Sequence, residues 1–355
     1  MPQIVTVTVS QQVASAPSQL QKTGALISQG GTTLAPGTVA LLSSLADLAP
    51  IVSGSAVELT AMATTFFSQG NTQAVYILEL GSGTAAAGVA ALTAYLANPS
   101  VTFYSYLVPL DWDVEPDAYA LFSTYENTTA ATYFYVTTST ATYATWLTVK
   151  SVFAGLQSPD VPITEFSLAA MFHATLSYSP SASSLVSPLA WTYLYGVTPY
   201  VLSPSNQTLY LAAGLNWVGT GAEGGISNKL IVGGQFMDLH PFNYWYSVDW
   251  LVINVAQTLS AAVINGSNNP QNPLYYNQNG INTLQTVAQA TVNNGISFGL
   301  ILSPATVTAV PFTDYVAQNP GDYAIGRYAG LACTFVPARG FNTIVINLTA
   351  TDIPV

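Results

Sequence analysis

Between residues 247 and 266 the chain reads SVDWLVINVAQTLSAAVING, with Leu251, Val255, Leu259 and Ala262 at helical spacing and Val248 and Val252 beside them. One apolar stripe at that period predicts a helix. Ser247 is its expected cap, Asp249 falls in its first turn, where the dipole favours an anion, and Asn265-Gly266 offers a left-handed stop. The other face carries Trp250 and Ile253 among Asn254, Gln257 and Ser260 rather than charges, so the helix is expected to pack on more than one side. A second helix is predicted over 281–292, with Ile281, Leu284, Ala288 and Val292 on one face. Three strands should finish the chain. The first is a short apolar run over 298–302, and the second, 330–336, sets Leu331, Cys333 and Phe335 on one side. The third, 341–349, sets Ile344, Ile346 and Leu348 opposite Val345, Asn347 and Thr349.

At the other end Val5, Val7 and Val9 alternate with Thr6, Thr8 and Ser10, the pattern of a half-buried strand. Residues 11–21 are small and polar, an extended tether. A strand followed by a slack linker has no partner nearby in sequence, so residues 1–10 are expected to pair with something remote, such as another chain. From Gly24 strands and helices alternate. Strands are predicted at GALISQ, VALLSS, TQAVYILEL (72–80), 101–107 and 132–138. Helices are predicted over 57–67, 84–96, 117–125 and 143–156, with a further apolar run at 166–170. This order argues an α/β fold with a mostly parallel sheet between helices. Residues 174–235, rich in Pro, Gly, Ser and Tyr, read as loops with a short helix near 189–194.

Composition sharpens this picture. Of 355 residues, 50% are hydrophobic and only 6% charged, with 21 Tyr and 6 Trp. Such a chain must cover itself with uncharged polar groups or bury its surface in an assembly. Its length makes two domains the default. Stretches without charge, 80–110 and 251–313, raise the question of a membrane, but Pro, Gly, Asn and Gln interrupt both, and no window of about 20 residues is uniformly apolar. The N-terminal MPQIVTVTVSQQ lacks the basic and apolar parts of a secretion signal, so folding in the cytoplasm and no membrane insertion are expected. A net charge of −11 with five basic residues argues against nucleic-acid partners. The single cysteine, Cys333, excludes a disulfide framework within one chain and is expected to be a small buried hydrophobe.

Candidate chemistry is sparse. Gly81, Gly83 and Ala86 follow the strand AVYILEL and open a helix, which satisfies G-x-G-x-x-A in its proper context and would seat a pyrophosphate on backbone amides. The next acidic residue past a following strand, Asp111, lies beyond a Pro, and small residues are common here, so a tight strand-to-helix turn accounts for the pattern as well. Asp111, Asp113, Glu115 and Asp117 could offer oxygen ligands to a cation, but Pro116 stands where a calcium loop needs Gly. An acidic start to the next helix is the reading preferred. His173 and His240 share no metal-ligand spacing. His240 could pair with Asp238, yet no nucleophile motif accompanies them. Neither catalysis nor a cofactor has positive support.

The order of elements resembles the contractile phage tail sheath proteins. The likeness lies in the N-terminal strand arm, in GALISQG, and in TVALLSSLADLAPIVSGSAVELTAMATTFFSQGNTQAVYILEL with its FF-x-x-G. It resumes in VGGQFMDLHPFNYWYSVDWLVINVAQTL and YAGLACTFVPARGFNTIVINLTATDI. It covers chiefly 24–80 and 233–353, and lapses over 101–232. The resemblance implies a structural, non-enzymatic virion protein, made in the host cytoplasm, whose copies stack as hexameric rings around a tail tube. Tail tube, baseplate and tail terminator proteins would be its partners, and no cofactor is implied. The implied division is an arm and linker (1–23), an outer α/β domain (24–232), a smaller inner domain of helix pair and sheet (233–340) and a C-terminal strand arm (341–355). Expected contacts between subunits are Val5, Val7, Val9, Ile344, Ile346, Leu348 and, in the turn PARGF, Arg339. The alternatives are a dinucleotide-binding α/β enzyme using Gly81, Gly83 and Ala86, or another self-assembling virion or surface-layer protein.

Overall fold

The computed structural model describes residues 20–53, 56–70, 73–81, 83–125, 132–221 and 228–340. Strand β1 (Gly24–Ser28) is buried at every position and runs parallel to a neighbour on each side, β3 (Val75–Glu79) and β4 (Ser105–Leu107). The parallel run continues through β5 (Tyr133–Thr138), β6 (Val152–Leu156) and β8 (Asn216–Thr220). Antiparallel strands close both margins: β2 (Val39–Leu42) beside β3, and β9 (Lys229–Val232) then β7 (Tyr193–Leu194) beside β8. The nine strands lie in the order β2-β3-β1-β4-β5-β6-β8-β9-β7.

From β1 the chain passes through β2 to β3 on one side and then crosses β1 to β4 on the other, and helices cover both faces. Helices α1 (Val57–Phe67) and α4 (Ser167–Leu176) share a core with Leu26, Ile77 and Phe153. On the reverse, α2 (Ala85–Ala97), α3 (Pro116–Ser123) and α5 (Pro204–Ala212) share one with Ile27, Leu78, Phe134 and Trp217. The α/β sheet predicted from the alternation is therefore present.

Two stretches differ from the reading of the sequence. The helix expected over 143–156 is a 3-10 turn, Tyr143–Trp146, followed by β6. Val152–Leu156 is buried on both faces, so its apolar residues run on without alternation and imitate a helical stripe. Residues 174–235 hold β7, α5, β8 and β9 instead of loops with a helix near 189–194. Ser203, whose Oγ accepts from the Asn206 amide at 3.4 Å, and Pro204 at the first turn were the signals for α5.

Beyond the sheet, α6 (Phe242–Ser267) and α7 (Gln278–Ser297) pack together, with Thr258 and Thr291 hydroxyls 3.0 Å apart. Helix α6 begins five residues before the expected start, after Pro241. Ser247 is not its cap: it is buried and donates to the Asn243 carbonyl at 2.6 Å. Nor does the helix stop at Asn265-Gly266, since it runs to Ser267. An antiparallel ribbon follows, β10 (Ile301–Ala309) with β11 (Leu331–Pro337), and between them lie the short α8 (Phe312–Gln318) and α9 (Pro320–Ala324). The first expected strand thus starts three residues late and runs to Ala309. One apolar core runs from Leu26 in β1 through Trp250 and Leu251 of α6 to Val307 of β10. Helix α6 is the one described helix long and apolar enough to cross a membrane; only 17% of its most apolar 18-residue window is buried within the chain.

Candidate functional site

The Gly81 turn is shaped by a buried carboxylate of the chain itself. Glu79 Oε1 accepts from the amides of Gly30 (2.9 Å) and Gly81 (2.8 Å), and its Oε2 from the Thr32 hydroxyl (2.6 Å). Gly81 is left-handed (φ +90°), and a Cβ there would lie 3.2 Å from Pro36. The Gly81 amide is thus taken by a side chain of the protein itself, and the geometry favours the tight turn. The acidic run behaves as the start of a helix. Glu115 accepts from the Asp117 amide at 3.3 Å with Pro116 in the first turn, while Asp113 is buried between Trp146 Nε1 (2.7 Å) and Thr142. No group of three or more metal-ligating side chains occurs among the described residues. His173 is buried edge-on to Phe66, and burial lowers its pKa to about 4. His240 does meet Asp238 (Nδ1 to Oδ2, 3.1 Å), but that carboxylate also accepts from Trp245 Nε1 at 2.7 Å.

The ribbon has two unlike sides. Val310 N donates to Gly330 O at 2.9 Å, and alternation from that pair turns the backbone groups of Val307 away from β11 and those of Leu331 and Cys333 away from β10. Val307 and Cys333 are cross-strand partners on one face, yet Val307 is 6% exposed and Cys333 is exposed. Helix α7 therefore covers the β10 half of the ribbon and stops short of β11. Burial of Cys333, expected from the alternating pattern, is overturned for this reason. Ala332, Cys333, Thr334 and Val336 all face solvent. On β10 the outward groups are already occupied. Gln289 Oε1 accepts from Val307 N (2.8 Å), its Nε2 donates to Ala305 O (3.1 Å), and Gln285 Nε2 donates to Val307 O (2.9 Å).

A polar joint fastens α6 to the sheet. Asp249 Oδ2 accepts from the hydroxyls of Tyr104 (2.8 Å) and Tyr133 (2.7 Å). Burial raises its pKa to about 6, against the pull of those hydrogen bonds and of Lys150. It is thus not a first-turn dipole partner but a tie to β5 and to the entry of β4. Gln21, 1% exposed, donates from Nε2 to the Tyr246 carbonyl at 3.0 Å, so the segment entering β1 is held to the same helix. Nearby, Lys150 Nζ sits 3.6 Å over Trp245, and the exposed Arg339 lies 5.0 Å over the ring of Tyr244. Of the expected subunit contacts only Arg339 is described; Val5, Val7, Val9, Ile344, Ile346 and Leu348 lie outside the described residues. No sequence signal tied Tyr104, Tyr133 and Asp249 together, whereas the i, i+4 spacing of Gln285 and Gln289 marked a shared helix face.

Comparison with solved structures finds chains of the same fold. A chain of the anti-feeding prophage baseplate, six-fold symmetrised, matches with a TM-score of 0.67 at 13% identity, over 99% of this chain and 99% of that one. The contracted helical sheath of the same particle gives 0.64 at 11% identity, over 98% and 100%. The sheath tail protein of Listeria innocua gives 0.57 at 9% identity, over 83% and 91%. No family model and no curated protein matches the sequence. At these identities the likeness is one of fold, and it extends through 101–232, where the resemblance in sequence lapses.

Proposed function

We propose that the chain is the subunit of a contractile tail sheath, whose copies stack as hexameric rings around a tail tube and shorten to drive that tube through a cell envelope. The observation that carries this reading is the likeness in fold to a contracted helical sheath over 98% of the chain. Strand β11 adds a physical means of joining copies, since among the described strands only β10 pairs with it and a donated strand laid along its other side would complete the ladder. Residues 24–232 form the outer part, 233–340 the inner part against the tube, and 1–23 and 341–355 the arms. Val5, Val7 and Val9 of one arm, and Ile344, Ile346 and Leu348 of the other, are the side chains set against neighbouring sheets, with Arg339 at the root of the second. Baseplate and terminator proteins meet the ends of the stack. The role is structural, without cofactor, in a particle assembled in the host cytoplasm.

Negative-stain electron microscopy of the pure protein is the test, and hollow tubes or rings are expected without any added ligand. Deleting residues 1–10 should abolish them and leave the subunit's melting transition in place. A chain that stays monomeric at every concentration and salt, or a truncated chain that still forms normal tubes, removes the support.

A further inference from the structure

The two edges of the ribbon are not equivalent. On β10, three successive outward groups (the Ala305 carbonyl, the Val307 amide and the Val307 carbonyl) are bonded by two glutamine side chains one helical turn apart on α7. A single carboxamide, that of Gln289, both accepts from Val307 N and donates to Ala305 O, which is what one residue of an adjoining strand would do. It is steadied from behind, where Nε2 also lies 2.9 Å from Asn293 Oδ1. A groove of about 330 Å³ follows the contact, lined by Gln285, Thr286, Gln289, Ala290, Asn293 and Val307. Holding long side chains in one rotamer costs conformational entropy, and an exposed β-edge invites pairing with any passing strand. On β11, by contrast, α7 falls short of Cys333, and that thiol is exposed.

We infer that Gln285 and Gln289 form an edge guard: they imitate a neighbouring strand along β10, deny that edge to segments of other copies, and so direct strand addition to β11. This rests on the reading above that copies join by lending strands, and it adds which edge receives one first and what keeps the other closed. A donated strand reaches β10 only by displacing the two carboxamides into the groove. The guard needs no charge, which suits a helix whose exposed side chains, Ala290 apart, are amides and hydroxyls.

The test compares the parent chain with Gln285→Ala/Gln289→Ala and with Gln289→Asn, whose shorter side chain keeps an amide but cannot span to β10. Cys333 serves as a reporter of β11, because a strand on that edge covers its thiol. In the parent, assembly should slow alkylation of Cys333 at least tenfold. In both variants the Val307 amide of the monomer should exchange with solvent at least tenfold faster, and association should begin at a concentration at least fivefold lower. Part of the associated material should then keep a freely alkylated Cys333, because contacts now form through β10. Unchanged Val307 exchange, or variants that assemble at the parent's threshold with the parent's Cys333 protection, overturn the guard. If the parent never associates but the variants do, the guard stands and the sheath reading fails; if none associates, both fail.

Discussion

Strands β1, β3, β4, β5 and β6 expose almost no side chain, whereas β11 buries only Pro337. The same contrast runs through the helices: α4 is buried over nine of its ten residues, while α6 has no fully buried residue after Leu251. The sheet region satisfies itself with two core layers and antiparallel strands at its margins. The C-terminal third closes one core with it, then leaves the later turns of α6 half-buried or exposed and most of β11, with its thiol, exposed. One part of the chain is a closed body, the other presents neutral surface, and the lack of charge between Trp250 and Thr313 belongs to the second.

That contrast can be broken in order of size. Phe134 lies at 0% exposure, with Phe122 stacked 3.9 Å away between ring centroids. Phe134→Ala should lower the stability of the isolated subunit by about 3–5 kcal/mol in chemical denaturation. A loss below about 1 kcal/mol would show that the sheet core is far looser than described.

Next in size is the joint between the two parts. The Asp249 pKa is raised from 3.8 to about 6, so the folded chain holds this proton more tightly than the unfolded one. The raised value favours the fold below about pH 4, and that advantage is lost as pH rises through about 6, amounting to about 2–3 kcal/mol. His173, lowered to about 4, acts in the opposite sense, since its contribution is lost as pH falls from about 6.5 to 4. The difference between parent and Asp249→Asn melting curves is therefore the readout. The variant should gain on the parent between pH 4 and 7, and parallel curves would remove the joint's role.

On the ribbon the expectation reverses. Val336 is 57% exposed, so Val336→Ser should change the subunit's stability by less than about 0.5 kcal/mol. It should nevertheless raise the concentration at which tubes form, and a variant that melts and assembles like the parent would detach β11 from assembly. Smallest is Arg339→Ala, which removes an exposed cation resting on Tyr244. Such contacts are worth about 0.5–1 kcal/mol. A weakened assembly, with a melt lowered by no more than that, is expected, while identical behaviour in both assays leaves Arg339 a solvated turn residue.

Legibility in the sequence followed the same divide. Where one face is wet, as in β2 or α7, periodicity located the element to within a few residues. Of the strands buried on both faces, β1, β3, β4 and β5 were still located as apolar runs, but Val152–Leu156 was merged with the turn before it into one helical stripe. Strands β7, β8 and β9 lie in a stretch rich in Pro, Gly, Ser and Tyr that hid them among loops. Ser247 and Asp249 look like the start of a helix because Ser and Asp are good caps, but Ser247 bonds back to Asn243 within the helix and Asp249 is used for tertiary bonds, to tyrosines 145 and 116 residues earlier in the chain. The exposure of Cys333 on β11 was beyond periodicity altogether, since it depends on how far α7 reaches across the ribbon.

The placement of β1 has a mechanical consequence. Its first residue follows directly on the N-terminal segment, and it is hydrogen-bonded to β3 on one side and β4 on the other along a common direction. A pull on that segment along the strand is borne in shear, by both ladders together rather than one bond at a time. Gln21 diverts part of the load to the carbonyl of Tyr246 before it reaches the sheet. The molecule is thus gripped at its stiffest line, and a tether attached there can transmit force to the whole body without peeling it open.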